Sequence, residues 1–149
     1  MENLASNERA RYDYEILETL EAGLVLSGQE TKSAKTGHFK LKGAHVTFHK
    51  GEAMLLGSHI AKYSKAGPLP DYDPERTRKL LLRKKELDRL RGKREEEGLT
   101  IVPIRAYIRN GRIKVEIAVG RGKKQYEKRE TIKKRDLDRQ ARSMMKARR

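Results

Sequence analysis

The stretch TIVPIRAYIRNGRIKVEIAVG, Thr100 to Gly120, leaves this chain little choice of local structure. Val102, Ile104, Ala106 and Ile108 recur at every second position, Asn110-Gly111 follows, and Ile113, Val115, Ile117 and Val119 resume the alternation. Successive side chains of a strand point to opposite faces, so each run presents one apolar face. Asn-Gly accepts the positive φ that a two-residue type I′ turn requires at both positions, and the two runs are therefore predicted to pair as a hairpin. Its other face carries Arg105, Arg109, Arg112 and Lys114. An isolated hairpin is marginal in water, so the remaining chain must supply strands that cover the apolar face.

Those strands can be found. Tyr14, Ile16 and Leu20 alternate with Glu15, Leu17, Thr19 and Glu21, and Leu24-Val25-Leu26 follows, which predicts two strands or one strand bent at Ala22-Gly23. AHVTFHKGEAMLL, Ala44 to Leu56, reads as a second hairpin turning at Lys50-Gly51, with Ala44, Val46 and Phe48 on one face. Between them, Ser27 and Glu30 have capping-box spacing and Gly37 supplies a stop, predicting a short helix over about 28–36. Pro68, Pro70 and Pro74 exclude regular structure from the loop SKAGPLPDYDP. After it, ERTRKLLLRKKELDRLRGKREEEG is read as one long helix, with Leu80, Leu81, Leu87 and Leu90 as its apolar stripe and Gly92 or Gly98 as its end. The expected fold is mainly β with helices, a small closed antiparallel β-barrel of the oligonucleotide-binding type. It would have about six strands and two or three helices, because closure removes exposed edges; an open two-layer α+β sheet is the second architecture. Residues 1–11 are read as a flexible arm, 12–120 as the barrel and 121–149 as a basic tail.

Charge bears on function. The chain holds 36 Lys/Arg against 21 Asp/Glu, a formal net charge of +15. Thirteen of those cations and only four of the carboxylates lie after Gly120. Clustered Lys/Arg neutralise phosphates and release condensed counterions, which favours nucleic acid as partner over an acidic membrane surface. No apolar run exceeds four residues, far short of the ~20 that span a bilayer. The opening MENLASNERARYDY lacks the apolar stretch of a secretory signal, and there is no cysteine, so a cytoplasmic protein without disulfides is expected.

Enzymatic readings fail on chemistry. Gly23 and Gly28 are spaced like a phosphate loop, but Gln29 stands where the lysine must be. His45 and His49, on a strand, lie ~13 Å apart, too far to share a metal. Ser58-His59 has no acid placed to orient the histidine. No catalytic residue, metal or cofactor is expected.

Binding readings survive. Arg76, Arg78, Lys79, Arg83, Lys84, Lys85, Arg89, Arg91, Lys93 and Arg94 would make the long helix a basic ridge. Gly120 to Lys124, GRGKK, forms a flexible exit suited to lying along phosphates. In the tail, Leu137, Ala141, Met144 and Met145 share a helical stripe. Glu130–Lys134 and Asp138–Arg142 are i,i+4 pairs in the favourable order. Tyr126, beside Glu127 and near Lys124 and Lys128, offers a ring for stacking on a base. Such a segment is marginal alone and is expected to be disordered when free and helical when bound.

The order of these motifs resembles the SsrA-binding protein family, also called small protein B. NERARYDYEILETLEAGLVLSGQETKS (Asn7 to Ser33), DPERTRKLLLRKKEL (Asp73 to Leu87) and the stretch from Gly98 to Arg135 carry the resemblance, nearly the whole chain. It implies a non-enzymatic adaptor of the barrel type, monomeric when free. Such an adaptor would bind the tRNA-like domain of transfer-messenger RNA and deliver it to stalled ribosomes in trans-translation. By position the resemblance assigns Asn7, Arg11, Tyr12, Glu21 and Leu81 to the RNA-binding surface. Glu30 and Lys32, in its Gly-x-Glu-x-Lys-Ser segment, and Arg78, Lys79, Arg83 and Lys84, in the basic stretch, are likewise read as RNA-binding. Gly122, Lys123, Lys124, Tyr126, Glu127, Lys128, Arg129, Met144 and Met145 would contact the decoding site, with its small-subunit rRNA, and the empty message path. Tyr12 stands where histidine is common, and Glu127 replaces an aspartate. The alternative, a general single-stranded RNA binder of cold-shock type, needs stacking rings, and this chain is 5% aromatic with no Trp.

Overall fold

The structure, a computed structural model, describes residues 2–96 and 98–147. Nine strands and four helices lie along them: β1 (Glu2–Ser6), α1 (Glu8–Asp13), β2 (Tyr14–Leu24), α2 (Gly28–Lys35), β3 (Phe39–Lys40), β4 (His45–His49) and β5 (Glu52–Leu56), then β6 (His59–Ile60), β7 (Arg78–Leu81), α3 (Lys84–Glu95), β8 (Leu99–Arg109), β9 (Arg112–Gly122) and α4 (Gln125–Ala147). Seven strands form one antiparallel sheet in the order β1-β8-β9-β2-β7-β5-β4, and β3 pairs with β6 beside it.

The two predicted hairpins form where expected. Asn110 and Gly111 have φ of 52° and 75°, and Lys50 and Gly51 have 50° and 78°, so both turns are of the primed, left-handed kind that suits strand twist. Helix α2 begins with the predicted capping box: Ser27 Oγ accepts from Glu30 N–H at 3.3 Å, and Glu30 Oε1 accepts from Ser27 N–H at 3.0 Å. Strand β2 is continuous through Ala22-Gly23 and is instead bulged between Ile16 and Glu18, which leaves Leu17 half-exposed.

Four expectations are corrected. The ring does not close: hydrogen bonding runs from β1 to β4 and stops. Strand β4 packs against β8 without a hydrogen-bonded ladder between them, and β1 takes the edge of β8 from Arg105 to Ile108. The residues read as a flexible arm supply that edge strand, since Glu2 to Ser6 register against Ile108 to Arg105. Third, the long helix read after Asp73-Pro74 begins only at Lys84. Arg78 and Leu80 are buried while Lys79 and Leu81 face outward, a period of two that makes β7 a strand between β2 and β5. The leucines Leu80 and Leu81 fit a helical stripe as well as an alternation, and burial of Arg78 decides between them. Fourth, the short α1 and the two-residue β3 and β6 raise the counts to four helices and nine strands.

The core lies inside the curl of the sheet. Ala22, Val46, Leu55, Ile60, Leu80, Leu90, Ile101, Ala106, Ile113, Val115, Ile117 and Val119 make a contiguous buried cluster. A bulge between Pro103 and Arg105 shifts the alternation of β8. Residues 105, 107 and 109 thereby share the outer face with Glu116 and Lys114 of β9, and Ile101 and Ala106 both reach the core.

Candidate nucleic-acid interface

Cross-strand register assembles the outer face of the sheet in rows. One row runs Leu81–Gly23–Lys114–Tyr107–Asn3 across β7, β2, β9, β8 and β1. The next runs Glu21–Glu116–Arg105–Ser6. Residues almost a hundred positions apart in sequence are thus neighbours on one surface. Leu81 is 51% exposed and lies over Gly23, where a Cβ would stand 3.2 Å from the Leu81 Cβ. Glycine there lets the leucine lie close to the sheet.

The charged groups on this face hold one another. Glu21 Oε2 accepts from the Tyr107 hydroxyl and from Arg109 Nη1 at 2.9 Å. Arg105 stacks over the Tyr107 ring at 4.5 Å, donates to Glu116 Oε2 at 3.3 and 3.4 Å, and donates to Asn3 Oδ1 at 3.1 Å. Burial, then the hydrogen bond to Glu21, pushes the Tyr107 phenol up to about 12, so it remains a donor through the physiological range. Glu21 thus orients Arg109 on this face.

Asn7 acts at the edge of this face. Its N–H donates to Ile104 O at 2.7 Å and its Nδ2 donates to Pro103 O at 2.9 Å, tying the start of α1 to the bulge of β8. The side chain is buried, and its bonds place α1 beside the sheet. Helix α1 presents Arg11, exposed, and Tyr12, half-buried. Next to them a cleft of about 480 Å³ is lined by Asn7, Arg11, Tyr12, Arg105 and Glu116 and by Arg135, Arg139 and Arg142 of α4.

The tail reaches the same edge. Lys123 N–H donates to Asp13 O at 2.8 Å and its Nζ to Arg11 O at 2.9 Å; Lys128 Nζ lies 3.4 Å from Asp13 Oδ1. Arg9, Lys128 and Arg135 stand over the Tyr12 ring at 4.7, 5.8 and 6.0 Å. Gly122 ends β9 opposite Tyr14, so the tail departs two residues later than the sequence suggested. Lys124 and Arg129 are exposed and Glu127 is half-buried. Tyr126, Met144 and Met145 fall on α4, and their side chains lie outside the described residues.

Two of the residues assigned to RNA are elsewhere. Glu30 and Arg78 are fully buried. Arg78 spends its guanidinium on Glu30 Oε2 (2.7 and 2.9 Å), Ser58 O and Oγ, Pro74 O, Arg76 O and the Tyr72 hydroxyl. Arg76 adds a second arginine to Glu30. Neither Glu30 nor Arg78 has a surface to offer RNA, and the basic ridge loses Arg76 and Arg78 to this cluster. Burial drives the Glu30 carboxyl up, but hydrogen bonds from Arg76, the Ser27 N–H and Arg78 outweigh it and hold the group at about 2. Lys32 is exposed, its Nζ 5.9 Å from the Tyr63 ring; Lys79 pairs with Glu52 at 3.0 Å on the outer face; Arg83 and Lys84 are exposed where α3 begins.

A family model described as SmpB protein matches residues 4–147. The chain belongs to the SmpB family. An SsrA-binding protein of Coprothermobacter proteolyticus is 50% identical, covering 95% of this chain and 95% of its own. One of Oleidesulfovibrio alaskensis is 49% identical over 93% of this chain and 89% of its own. Among solved structures, a chain reported as "tmRNA-SmpB: a journey to the center of the bacterial ribosome" superposes with a TM-score of 0.67 at 49% identity, covering 80% of this chain and 84% of that one. The SmpB match takes in the sheet face from residue 4 onward and all of α4.

Sequence reasoning missed Tyr107 and Glu116 as members of this face. The alternation of β8 gave the signal for Tyr107, but the bulge that turns it toward Glu21 has no mark in the sequence beyond Pro103.

Proposed function

We propose that this chain is an RNA-binding adaptor that binds the tRNA-like domain of transfer-messenger RNA and delivers it to stalled ribosomes for trans-translation rescue. Membership of the SmpB family and the likeness to the tmRNA–SmpB chain on the bacterial ribosome support this reading. The observation that carries it into this molecule is the single outer face where Glu21, Leu81 and the Arg11–Tyr12 edge converge with Arg105, Arg109 and Lys114. A face of fixed rows and preset side chains reads the shape and edges of a folded RNA, and the surrounding cations hold its phosphates. The barrel-like curl of the sheet, with β4 against β8, serves as an oligonucleotide-binding scaffold without a closed ladder. The work is binding, carried out in the cytoplasm by a monomer, and needs no cofactor.

The tail acts at the ribosome. Ile132 and Leu137 are 38% and 56% exposed on α4, so the helix has little core of its own to order it. Contacts from Lys123, Lys128 and Arg135 to α1 hold its first turns, and its later turns order only in the decoding site and message channel, where Lys123, Lys124, Lys128 and Arg129 meet small-subunit rRNA.

A cold-shock-type reading finds little support. Among the described residues the Tyr107 ring, in the middle of the outer face, is buried, and Tyr12 and Tyr14 at its edge are half-buried, which leaves little open ring surface for stacking.

Competition of a tRNA-like transcript against an unstructured RNA of equal length tests the proposal. The tRNA-like RNA is expected to win by at least a hundredfold, with affinity falling steeply as salt rises. Equal competition overturns it. Deletion of 125–149, which leaves β9 intact, is expected to spare RNA affinity and abolish rescue in a stalled-translation assay.

A further inference from the structure

Glu21 has two oxygens and only one is engaged by the protein. Oε2 accepts from both Tyr107 and Arg109, whereas no donor among the described residues reaches Oε1. The side chain is 31% exposed, and the Tyr107 ring is buried, with Arg105 stacked over it at 4.5 Å. Held through Oε2 by two donors of β8, Tyr107 and Arg109, the carboxylate is restrained, and its other oxygen is left unengaged in the Glu21–Arg105 row, next to the Leu81 row. It is an acceptor with no hydrogen to give, and it repels phosphate.

Resting on the RNA-binding reading above, we propose that Tyr107 is a positioning residue for RNA recognition. It clamps Glu21 so that Oε1 accepts a hydrogen bond from a neutral donor of the RNA, an exocyclic base amino group or a ribose 2′-hydroxyl. The device supplies specificity without phosphate contact: cations around the face bind any RNA backbone, but an outward carboxylate oxygen tolerates only an RNA that places a donor against it. Arg109 is the second clamp. Its guanidinium is held beside the carboxylate, and its remaining N–H groups border the same spot.

A double-mutant cycle on the full chain tests this, with wild type, Y107F, E21A and the double variant titrated with a tRNA-like transcript. Y107F keeps the buried ring and removes only the hydroxyl. It is expected to weaken binding roughly tenfold in the wild-type background, as loss of a hydrogen bond to a charged group would, and less than twofold in the E21A background. The salt slope is expected to stay the same, since no phosphate contact is removed. Equal losses in both backgrounds, no loss in the wild type, or a changed slope would each overturn the proposal. If the wild type itself fails to prefer the tRNA-like transcript, the function is wrong and the clamp is not what failed. Analogue interference then identifies the donor. A position where loss of a 2′-hydroxyl or an amino group weakens the wild type but not E21A assigns it to ribose or base. A complete scan with no such position overturns the role of Oε1.

Discussion

Glu30 and Glu21 stand nine residues apart, and each accepts from a tyrosine hydroxyl and from arginine: Tyr72 with Arg76 and Arg78 for the first, Tyr107 with Arg109 for the second. The surroundings separate them. Glu30 lies where α2, the proline loop and β7 meet, both oxygens are occupied, and nothing of it is exposed. Glu21 lies on the open face of the sheet with one oxygen outward. The same chemical set locks a loop to the core in one place and presents an acceptor in the other. Residue type and neighbours do not reveal which is which; the direction of the strand face does.

The comparison breaks most visibly in stability. Truncating one partner of a buried pair leaves the other charge without compensation, so E30A or R78A is expected to cost about 3–5 kcal/mol in urea denaturation. The effect on RNA affinity of the protein that remains folded is expected to stay within twofold. The double replacement E30L/R78M, apolar on both sides, should recover much of the loss. A fall in RNA affinity without a fall in stability would show that the cluster belongs to the interface after all.

Acid gives the next effect. The folded pKa of Glu30 is about 2, below its ordinary value of 4.5, so the folded state binds this proton less readily than the unfolded chain. Its contribution, on the order of 3 kcal/mol, is fully present above pH 4.5 and is lost as pH falls toward 2. Denaturation midpoints between pH 5 and 2 should drop for the wild type, and this part of the drop should be missing in E30Q.

Asn7 sits between the two glutamates in character: buried like Glu30, yet at the border of the proposed RNA face. N7A removes the bond to Pro103 O and is expected to cost about 1–2 kcal/mol, with a several-fold loss of RNA affinity as α1 shifts. Calorimetry and filter binding on the same preparation check both parts.

What could be read from the sequence follows from how local each signal is. The Asn110-Gly111 and Lys50-Gly51 turns, the Ser27–Glu30 cap and the alternation of β9 rest on neighbours within a few residues, and each formed as expected. The strand β7 was hidden because Arg78 reads as a surface residue until its partner, 48 positions earlier, is known. Strand β1 is five residues with no alternation of its own, and it is a strand because β8 offers an edge. Openness of the ring depends on which distant strand edges meet, and no local pattern carries it. For the site, the family resemblance supplied Glu21, Leu81 and Tyr12. It also supplied Glu30, and only burial separates a lock from a contact.

The smallest stability effect is expected at Glu21, and it completes the contrast. Its pairs with Tyr107 and Arg109 are partly solvated, and such surface pairs contribute about 0–1 kcal/mol. E21A trims a partly solvated side chain, and the space it vacates lets a water reach the Tyr107 hydroxyl, so the urea midpoint should move by less than about 1 kcal/mol. Affinity for a tRNA-like RNA should nevertheless fall at least tenfold, because the donor on the RNA side loses its partner in a desolvated contact. The pattern is the reverse of that at Glu30, where stability falls and affinity holds. If both glutamates cost stability alike and neither affected affinity, their shared Tyr–Arg chemistry would be purely architectural, and the RNA face would have to be sought on α3.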